Sequence, residues 1–309
     1  MSAPTGPRTG GRHAIRTYHE VADPGAEGVV AQIRDQARRL SDRLARVGAV
    51  VAVASGKGGV GKSAVTANLA AVLASRGRAV GAADVDLHGP TLARMLGAPR
   101  APLDVGEDGV RPARGILDVR LMSMDLLLAS ADAPVRWRGP EEGAFAWQGT
   151  LEAGTVREFL ADTAWGNLDL LLLDLPPGTD RLARLLEILP RLDGLLLVTT
   201  PSEAARAAVA RSARLAREAG IRVTGLVANM TAWRCPECGR ETRLYEADGV
   251  ERLADDTGLA CWADVPFDPR LAVATDGGRP FAIVDPDAPP SRAFRDLADR
   301  LEAEIGAGA

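Results

Sequence analysis

The sequence predicts an α/β fold: a mostly parallel sheet with helices on both faces, in three layers (α/β/α). Short, almost continuously apolar segments such as Leu168–Leu173 alternate along the chain with longer segments of helical periodicity. Strands without a polar face belong to sheets that are covered on both sides. The 309 residues are 46% apolar and 25% charged, the composition of a globular chain with a sizeable core.

The first elements precede the sheet. Residues 1–25 predict a flexible tail and residues 26–48 a helix, clearest from Glu27 to Val47. Its apolar residues recur at spacings of three and four and share one face: Val30, Ile33, Ala37, Leu40, Leu44 and Val47. About three heptads make a short seam for a coiled coil or a partner helix. We therefore expect this helix to pack on the domain that follows it, over residues 49–305.

The elements of the sheet come next. The predicted strands are Val50–Ala54, Ala79–Ala83, Leu168–Leu173, Leu195–Thr200, Val223–Ala228 and Ala263–Pro266. The predicted helices are Lys62–Arg76, Ser202 to about Ala219, and an amphipathic helix around Leu297 before a short tail over residues 306–309. The segment Ala98–Gly149 is rich in Gly, Pro and charge, and it predicts loops with a small β excursion.

The composition limits the kinds of molecule that the chain is expected to bind. The net charge is −4 and only 4% of residues are aromatic, which argues against nucleic acid, because phosphate contacts need a basic face and base stacking needs aromatic rings. No apolar run approaches the ~20 residues that span a bilayer, and the first twelve residues have no apolar leader. We expect a cytoplasmic protein with neither nucleic acid nor membrane as its partner.

The loop after the first predicted strand carries the strongest signal. Residues 55–63 read Ser-Gly-Lys-Gly-Gly-Val-Gly-Lys-Ser, which fits the P-loop pattern between a strand and a helix. Lys62 would neutralise the β- and γ-phosphates of ATP, and the Ser63 hydroxyl would bind Mg²⁺. The motif predicts an ATP-hydrolysing P-loop NTPase. The predicted nucleotide-binding residues are Gly56, Lys57, Gly58, Gly59, Val60, Gly61, Lys62, Ser63 and Ala64.

Carboxylates follow two other predicted strands. Asp84 and Asp86 come after the second strand, and Asp174 ends the strand Leu170–Leu173 in the Walker B pattern. Functional groups of such sheets gather at the carboxyl ends of the strands, and a Walker B aspartate helps to hold Mg²⁺. Asp174 is followed by Pro-Pro-Gly-Thr, where the N–H of Gly178 is expected near the γ-phosphate.

A cysteine pair forms a second candidate site. Cys235-Pro236-Glu237-Cys238-Gly239 is a turn in which both thiolates can face one metal, and it suits an iron–sulfur cluster or zinc better than a redox pair, because no helix evidently follows it. The one other thiol is Cys261, expected to be a small buried side chain, and His13, His19 and His88 lie elsewhere. The simplest complete site therefore has two Cys from each of two chains across a symmetric dimer.

The extra lysine of the loop, Lys57, carries a family resemblance. The string Gly-Lys-Gly-Gly-Val-Gly-Lys-Ser resembles the deviant-Walker ATPases, which include the ParA, MinD, nitrogenase-iron-protein and Mrp types. The resemblance implies that Lys57 reaches the nucleotide of a partner subunit in an ATP-sandwich homodimer. It also implies that Asp84 and Asp86 form a switch that orients the attacking water, with Asp86 joining Ser63 and Asp174 around Mg²⁺, and that Asn229 hydrogen-bonds adenine.

Further strings point to one branch of that group. From about Val47 to Leu301 the chain resembles the Mrp-type iron–sulfur cluster carrier ATPases. The matching strings are the P-loop, Asp86–Pro90, Trp137–Pro140, Trp165–Asp169, Asp174–Thr179, Asn229-Met230, Cys235–Gly239 and Pro266–Pro269. The resemblance implies a labile [4Fe-4S] cluster bridged by Cys235 and Cys238 of both subunits, received from cluster donors and passed to apo-proteins in a manner linked to ATP.

Three departures from that branch are visible. Asp180-Arg181 replaces the usual Gly-Asp after Pro-Pro-Gly-Thr, Glu141-Glu142-Gly143 replaces a Met-containing stretch, and about 48 residues before the first strand are too few for the small N-terminal domain of many relatives. The alternative hypothesis is a ParA- or MinD-like positioning or partitioning ATPase in which a structural zinc ion holds the two subunits of the dimer together. The final helix, Ala293–Ile305, carries four carboxylates and is not typical of a membrane anchor.

Overall fold

The computed structural model of the chain describes residues 25–87, 89–127, 144–235 and 237–306, with side chains in the same ranges except residues 25–30 and 144–152. Several features predicted above lie outside the described residues. They are most of the tail (residues 1–24), the three histidines, the string Trp137–Pro140 and residues 307–309.

Most strands of the described chain join in one sheet. They are β1 (Val47–Ala54), β2 (Val80–Asp84), β3 (Val105–Gly106), β4 (Gly109–Val110), β5 (Ala113–Arg114), β6 (Arg120–Ser123), β7 (Leu168–Asp174), β8 (Gly194–Thr199), β9 (Val223–Arg234), β10 (Glu241–Arg243) and β11 (Cys261–Phe267). The sheet runs β10-β9-β8-β1-β7-β2-β6-β5, and β11 also pairs with β9, while β3 and β4 form a separate hairpin.

The centre of the sheet is parallel. Strands β2, β7, β1, β8, β9 and β11 pair in parallel, and β5 and β10 are antiparallel additions at the sides. The register sets Asp84 of β2 and Val53 of β1 beside Asp174 of β7. The predicted mostly parallel α/β architecture is confirmed, and Asp84 and Asp174 lie side by side at the edge where β1 leads into the loop at residue 55.

Helices cover both faces of this sheet. They are α1 (Gly25–Leu44), α2 (Lys62–Ser75), α3 (Leu92–Met95), α4 (Ala144–Asp162), α5 (Thr179–Ile188), α6 (Glu203–Glu218), α7 (Gly249–Thr257), α8 (Pro269–Asp276), α9 (Phe281–Val284) and α10 (Pro289–Gly306). None of the helices in the described ranges is both long enough and apolar enough to cross a bilayer.

Each face has its own apolar core. On one side, Val50 and Ala52 of β1 pack with residues of α1, α4, α5, α6 and α7. On the other side, Val51 and Val53 pack with residues of α2, α3, α9 and α10. Successive residues of a strand point to opposite faces. The continuously apolar strands therefore contribute side chains to both cores.

The N-terminal helix is shorter than predicted and docks on the domain. It ends at Leu44, and Val47 and Gly48 belong to β1, which moves the predicted boundary at residue 48 to the turn before Val47. Leu40 and Leu44 are buried in the core of the first face, whereas Ile33 is 45% exposed. Packing on the neighbouring domain is confirmed for the second half of the predicted apolar face.

Three other boundaries of the sequence analysis were wrong. Helix α4 begins within the segment predicted as loops, β9 continues six residues beyond Ala228, and α10 includes Gly306. Helices α3, α5, α7, α8 and α9 were not predicted. α4 contains Gly149 and Gly154 and β-branched residues, which lower helix propensity, and tertiary packing decides its conformation.

We expect Leu40→Ala to destabilise the domain by about 2–5 kcal/mol, because it leaves a cavity under α1. Ile33→Ala, on the same helix and exposed, should cost less than about 1 kcal/mol. Urea unfolding followed by circular dichroism measures both free energies. Equal losses for the two variants would contradict the docking of α1 through its second half.

Candidate functional site

The P-loop lies between β1 and α2, as its motif requires. Gly59 and Gly61 have φ of +76° and +81°, in the left-handed region that favours glycine. Gly56 lies against α6, where an added Cβ would come within 2.6 Å of the backbone of Ala208. The loop therefore needs glycine for backbone conformation at two positions and for close packing at a third.

Asp174 is the centre of the polar cluster beneath the loop. Lys62 Nζ lies 2.7 Å from Asp174 Oδ1 in a buried ion pair. Ser63 Oγ donates to Oδ2 at 2.5 Å and Thr66 Oγ1 donates to Oδ1 at 2.8 Å. The structure thus brings the predicted residues Lys62, Ser63 and Asp174 together, and adds Thr66, which the motif does not include.

The two switch aspartates differ in their surroundings. Asp84 is buried and its Oδ2 accepts the N–H groups of Thr91 and Leu92, at 2.8 and 2.9 Å. Asp86 is at the surface end of the turn, and its carboxylate accepts the N–H of Gly89 at 3.3 Å. Asp84 therefore holds the start of α3 to the end of β2, and Asp86 is the more accessible of the two carboxylates.

The buried carboxyl of Asp84 is close to a second negative charge. Burial, followed by the charge of Asp174, raises the pKa of Asp84 to about 7. The N–H donors of Leu92 and Thr91 and the charge of Lys62 act in the opposite direction but do not offset the increase. The position is therefore sensitive to any cation that approaches the two aspartates.

Two further contacts join the P-loop to neighbouring turns. Lys57 Nζ donates to Ser202 Oγ at 3.3 Å, at the start of α6, and Thr200 Oγ1 lies 3.2 Å from the same oxygen. The N–H of Gly178, predicted near the γ-phosphate, donates to the carbonyl of Ser55 at 3.1 Å. The P-loop, the Walker B turn and the start of α6 therefore form one connected unit.

Strand β9 lies directly against the P-loop. Asn229, predicted to contact adenine, is 7% exposed and its Nδ2 donates to the carbonyl of Val60 at 2.8 Å. The next residue, Met230, has φ of +59°, which costs a residue with a side chain about 1–2 kcal/mol. Sequence patterns gave no signal for this strained residue.

The cysteine pair lies at the end of the same strand. Arg234 of β9 pairs with Glu241 of β10, and the turn between them is closed by bonds from Cys235 N to Arg240 O and from Gly239 N to Cys235 O, both 2.9 Å. Cys235 is half-buried and Cys238 is exposed. We call residues 235–240 the thiol hairpin.

The environment of Cys235 favours its thiolate. The N–H groups of Cys238 and Glu237, and then the Cys238 thiol, hydrogen-bond to its sulfur and lower the pKa of Cys235. Cys261 differs, because burial raises the pKa of its thiol. It pairs with Leu226, nine residues of the chain before Cys235.

The thiol hairpin is an incomplete metal site by itself. Within the part of the chain that the structure describes, no group of three or more His, Cys, Asp or Glu side chains is arranged to hold a metal ion. Cys235 and Cys238 supply two sulfur ligands, and zinc or a cubane cluster usually takes four.

The sheet order and the P-loop place the chain among the P-loop NTPases of the ParA and MinD type, and solved structures agree. The nucleotide-binding protein from Archaeoglobus fulgidus, in complex with ADP, is 33% identical, with a TM-score of 0.69 over 84% of this chain and 96% of that one. The cell-division ATPase MinD of Pyrococcus furiosus is 26% identical, with a TM-score of 0.58 over 83% and 99% of the two chains.

Comparison of sequences identifies the family of the chain more narrowly than the shared fold does. Residues 46–302 match the family described as NUBPL iron-transfer P-loop NTPase, and the chain belongs to this family. An iron–sulfur cluster carrier protein of Saccharolobus solfataricus is 37% identical over 81% of this chain and 82% of its own length. The cytosolic Fe-S cluster assembly factor NUBP2 of Bos taurus is 38% identical over 86% and 96%. The resemblance to the iron–sulfur carrier branch is confirmed.

The raised pKa of Asp84 predicts a pH dependence of stability in the nucleotide-free protein. Between about pH 4 and pH 7 the unfolded chain loses this proton while the folded chain keeps it, so rising pH lowers the free energy of unfolding. Asp84→Asn removes this contribution. As the pH rises from 5 to 8, the melting temperature of the wild type should therefore fall by a few degrees relative to that of Asp84→Asn.

Thermal melts followed by circular dichroism, without Mg²⁺, measure this difference. Asp104→Asn, at an exposed ion pair with Arg111, is the control and should follow the wild type at every pH. A constant difference between Asp84→Asn and the wild type over this range would contradict the assignment.

Proposed function

We propose that this protein is an ATP-dependent iron–sulfur cluster carrier that holds a labile [4Fe-4S] cluster between two copies of the chain and transfers it to apo-proteins. The observation that carries the proposal is that β9 bears both sites: Asn229 contacts the P-loop, and Cys235 begins the thiol hairpin at the end of the same strand. Two relatives above are named for cluster carriage or assembly.

The nucleotide half of the function rests on the P-loop and its lysines. The chain contains two lysines, Lys57 and Lys62, and both lie in this loop. The Lys62 ammonium is paired with Asp174, and phosphate oxygens would compete for the same charge. The glycines expose backbone N–H groups to the β- and γ-phosphates, which would stabilise charge that develops on the phosphoryl group.

The oxygen ligands present fit Mg²⁺. Ser63 Oγ and the Asp174 carboxylate are 2.5 Å apart, and hydroxyl, carboxylate and water oxygens are the ligands that this ion prefers. Ser63 and Asp174 would hold Mg²⁺, with Asp86 near it, and the ion would neutralise charge on the β- and γ-phosphates. Asp86, the more accessible switch carboxylate, would orient the attacking water, while Asp84 holds the switch turn.

A second copy of the chain completes both sites. Lys57 contacts Ser202 of its own chain, and in the dimer it would instead reach the phosphates of the partner's nucleotide. Two copies of the thiol hairpin supply four thiolates, the number that a [4Fe-4S] cluster takes. One symmetric dimer therefore satisfies the ligand count and gives Lys57 a function.

Transfer of the cluster requires ligand exchange alone. A thiolate of the client protein attacks an iron atom, the bond from that iron to Cys235 or Cys238 breaks, and the released thiolate takes up a proton from water. No electron is gained or lost in this step. The half-exposed position of the hairpin would favour it, since an incoming thiolate needs access to the iron.

The described surface argues against the membrane-positioning alternative. The apolar face of α10 is buried, including Phe294 and Leu297, and its carboxylates pair with the body of the domain, as Glu302 does with Arg76 at 2.6 Å. A helix docked in this way does not offer a free apolar face to a bilayer. Cytoplasmic location, with cluster donors and apo-proteins as partners, forms part of the proposal.

The first test concerns hydrolysis. Lys62→Ala should reduce steady-state ATP hydrolysis at least about a hundredfold, the loss typical of removing one group that stabilises developing charge. Lys57→Ala should reduce hydrolysis similarly while keeping ATP affinity, because its ammonium would act on the partner's nucleotide. Phosphate release and isothermal titration calorimetry measure the two quantities.

Ser202→Ala is the matched control for the lysine variants, since it removes the Lys57 contact within one chain and leaves both ammonium groups. It should keep hydrolysis within a few-fold of the wild type. Circular dichroism checks folding, as Lys62→Ala leaves Asp174 without its ion pair. Normal hydrolysis by well-folded Lys62→Ala would exclude the nucleotide assignment.

The second test concerns the metal. Anaerobic reconstitution with iron and sulfide should give the wild type a broad visible absorption band and about four iron atoms per dimer. Cys235→Ser and Cys238→Ser should lose both, and Cys261→Ser should keep both. Sedimentation should show that the loaded protein is a dimer. Wild-type protein that binds zinc and takes up no iron would favour a structural zinc site instead.

A further inference from the structure

A single strand joins the two halves of the site, and it bends at one residue. β9 runs from Val223, beside β8, to Arg234, and Met230 within it has φ of +59°. The other described residues with side chains and positive φ, Leu117 and Asp118, lie in a short turn. Among the described residues other than glycine, Met230 is therefore the one with a positive φ inside a strand.

The bend touches the P-loop directly. A Cβ placed on Gly61 would meet Asn229 Nδ2 at 2.3 Å and Met230 Cε at 3.3 Å. Asn229 Nδ2 also donates to the carbonyl of Val60. Consecutive residues of β9 thus lie beside consecutive residues of the loop whose N–H groups are expected to surround phosphate.

The pairing of β9 changes at the same point. Its pairing with β8 ends at Ala228, and its pairing with β10 begins at Ala232. On the other edge, β11 pairs through Val265 with Asn229 and then through Phe267 with Trp233. Three residues of β9 face one of β11, and a bulge of this kind re-aims the strand beyond it. The direction of the thiol hairpin is therefore set at Met230.

We propose that Met230 is a positioning residue that re-aims the thiol hairpin when the P-loop takes up a nucleotide. The proposal rests on the nucleotide half of the proposed function. When phosphate binds to the backbone of Val60 and Gly61, the contacts between this part of the loop and the residues Asn229 and Met230 change. Met230 then returns to an extended conformation, which rotates the half-strand that ends in Cys235.

The expected effect is measurable at the thiols. The strain typical of a left-handed residue with a side chain corresponds to a change of about 5- to 30-fold in the ratio of two conformations. The hairpin begins six residues after Asn229, at most about 20 Å along the chain. A rotation at Met230 would therefore alter the exposure of Cys235 and Cys238 without direct contact between nucleotide and sulfur.

The experiment measures alkylation of Cys235 and Cys238 in the full chain, reduced and free of metal, with Cys261→Ser as background. Iodoacetamide rates are read by mass spectrometry with no nucleotide and with saturating Mg-ADP. Binding of ADP is measured separately by calorimetry in every variant. In the background protein we expect ADP to change the rate at one or both cysteines by about fivefold or more.

Two substitutions should abolish this response from opposite directions. Met230→Val disfavours the left-handed conformation, and its rate without ADP should equal the rate of the background protein with ADP. Met230→Gly removes the strain, and its rate with ADP should stay at the nucleotide-free value. Leu117→Gly, which removes the same kind of strain far from β9, should keep the full response. If Met230→Val does not fold, Met230→Gly with its control decides.

Three outcomes would overturn the proposal. They are a background protein that binds ADP without a change in rate, Met230 variants that keep the full response, and a Leu117→Gly variant that loses it. Failure of ADP to bind would remove the nucleotide half of the proposed function and this proposal with it, and calorimetry detects that case independently. A protein that responds to ADP but takes up no iron would retain the positioning role and lose the carrier function.

Discussion

The buried ion pair between Lys62 and Asp174 depends on the register of three parallel strands. Asp174 lies beside Val53 of β1 and Asp84 of β2, and the end of β1 decides where the P-loop and Lys62 begin. A slip of one residue in either pairing would turn the carboxylate to the other face of the sheet. Two buried charges persist here because bonds from Ser63 and other neighbours satisfy the remaining oxygen lone pairs.

The choice of lysine in the loop follows from the same geometry. The chain uses arginine for its other strong bases, at ion pairs such as Arg76–Glu302 and Arg270–Asp268. An ammonium is a compact charge with three donors, whereas a guanidinium is a wide planar fork. A loop that closes around phosphates leaves room for the compact group, and this physical difference explains why lysine occurs at positions 57 and 62 in a chain otherwise rich in arginine.

Features that depend on residues close together in the chain could be predicted from sequence, and features that depend on distant residues could not. The P-loop and the apolar strands follow from short patterns, and so does the position of Asp174 at a strand end. The outer half of β9 was missed, because the continuous apolar run ends at Ala228 and the residues beyond it pair with β10, which lies beyond the thiol hairpin in sequence. The contact of Asn229 with Val60 spans 169 positions of the chain. Such a contact has no local signature, and neither has the strain at Met230.

The continuity of β9 also limits how this region can change in evolution. Since side chains of a strand alternate between faces, one residue gained or lost between Asn229 and Cys235 would move the first thiol to the opposite side of the sheet extension. A change of two residues would keep the side and shift the hairpin by about 7 Å. Lineages that share this architecture are therefore expected to conserve the spacing of these two residues, or to vary it in even steps, while the rest of the surface around them diverges.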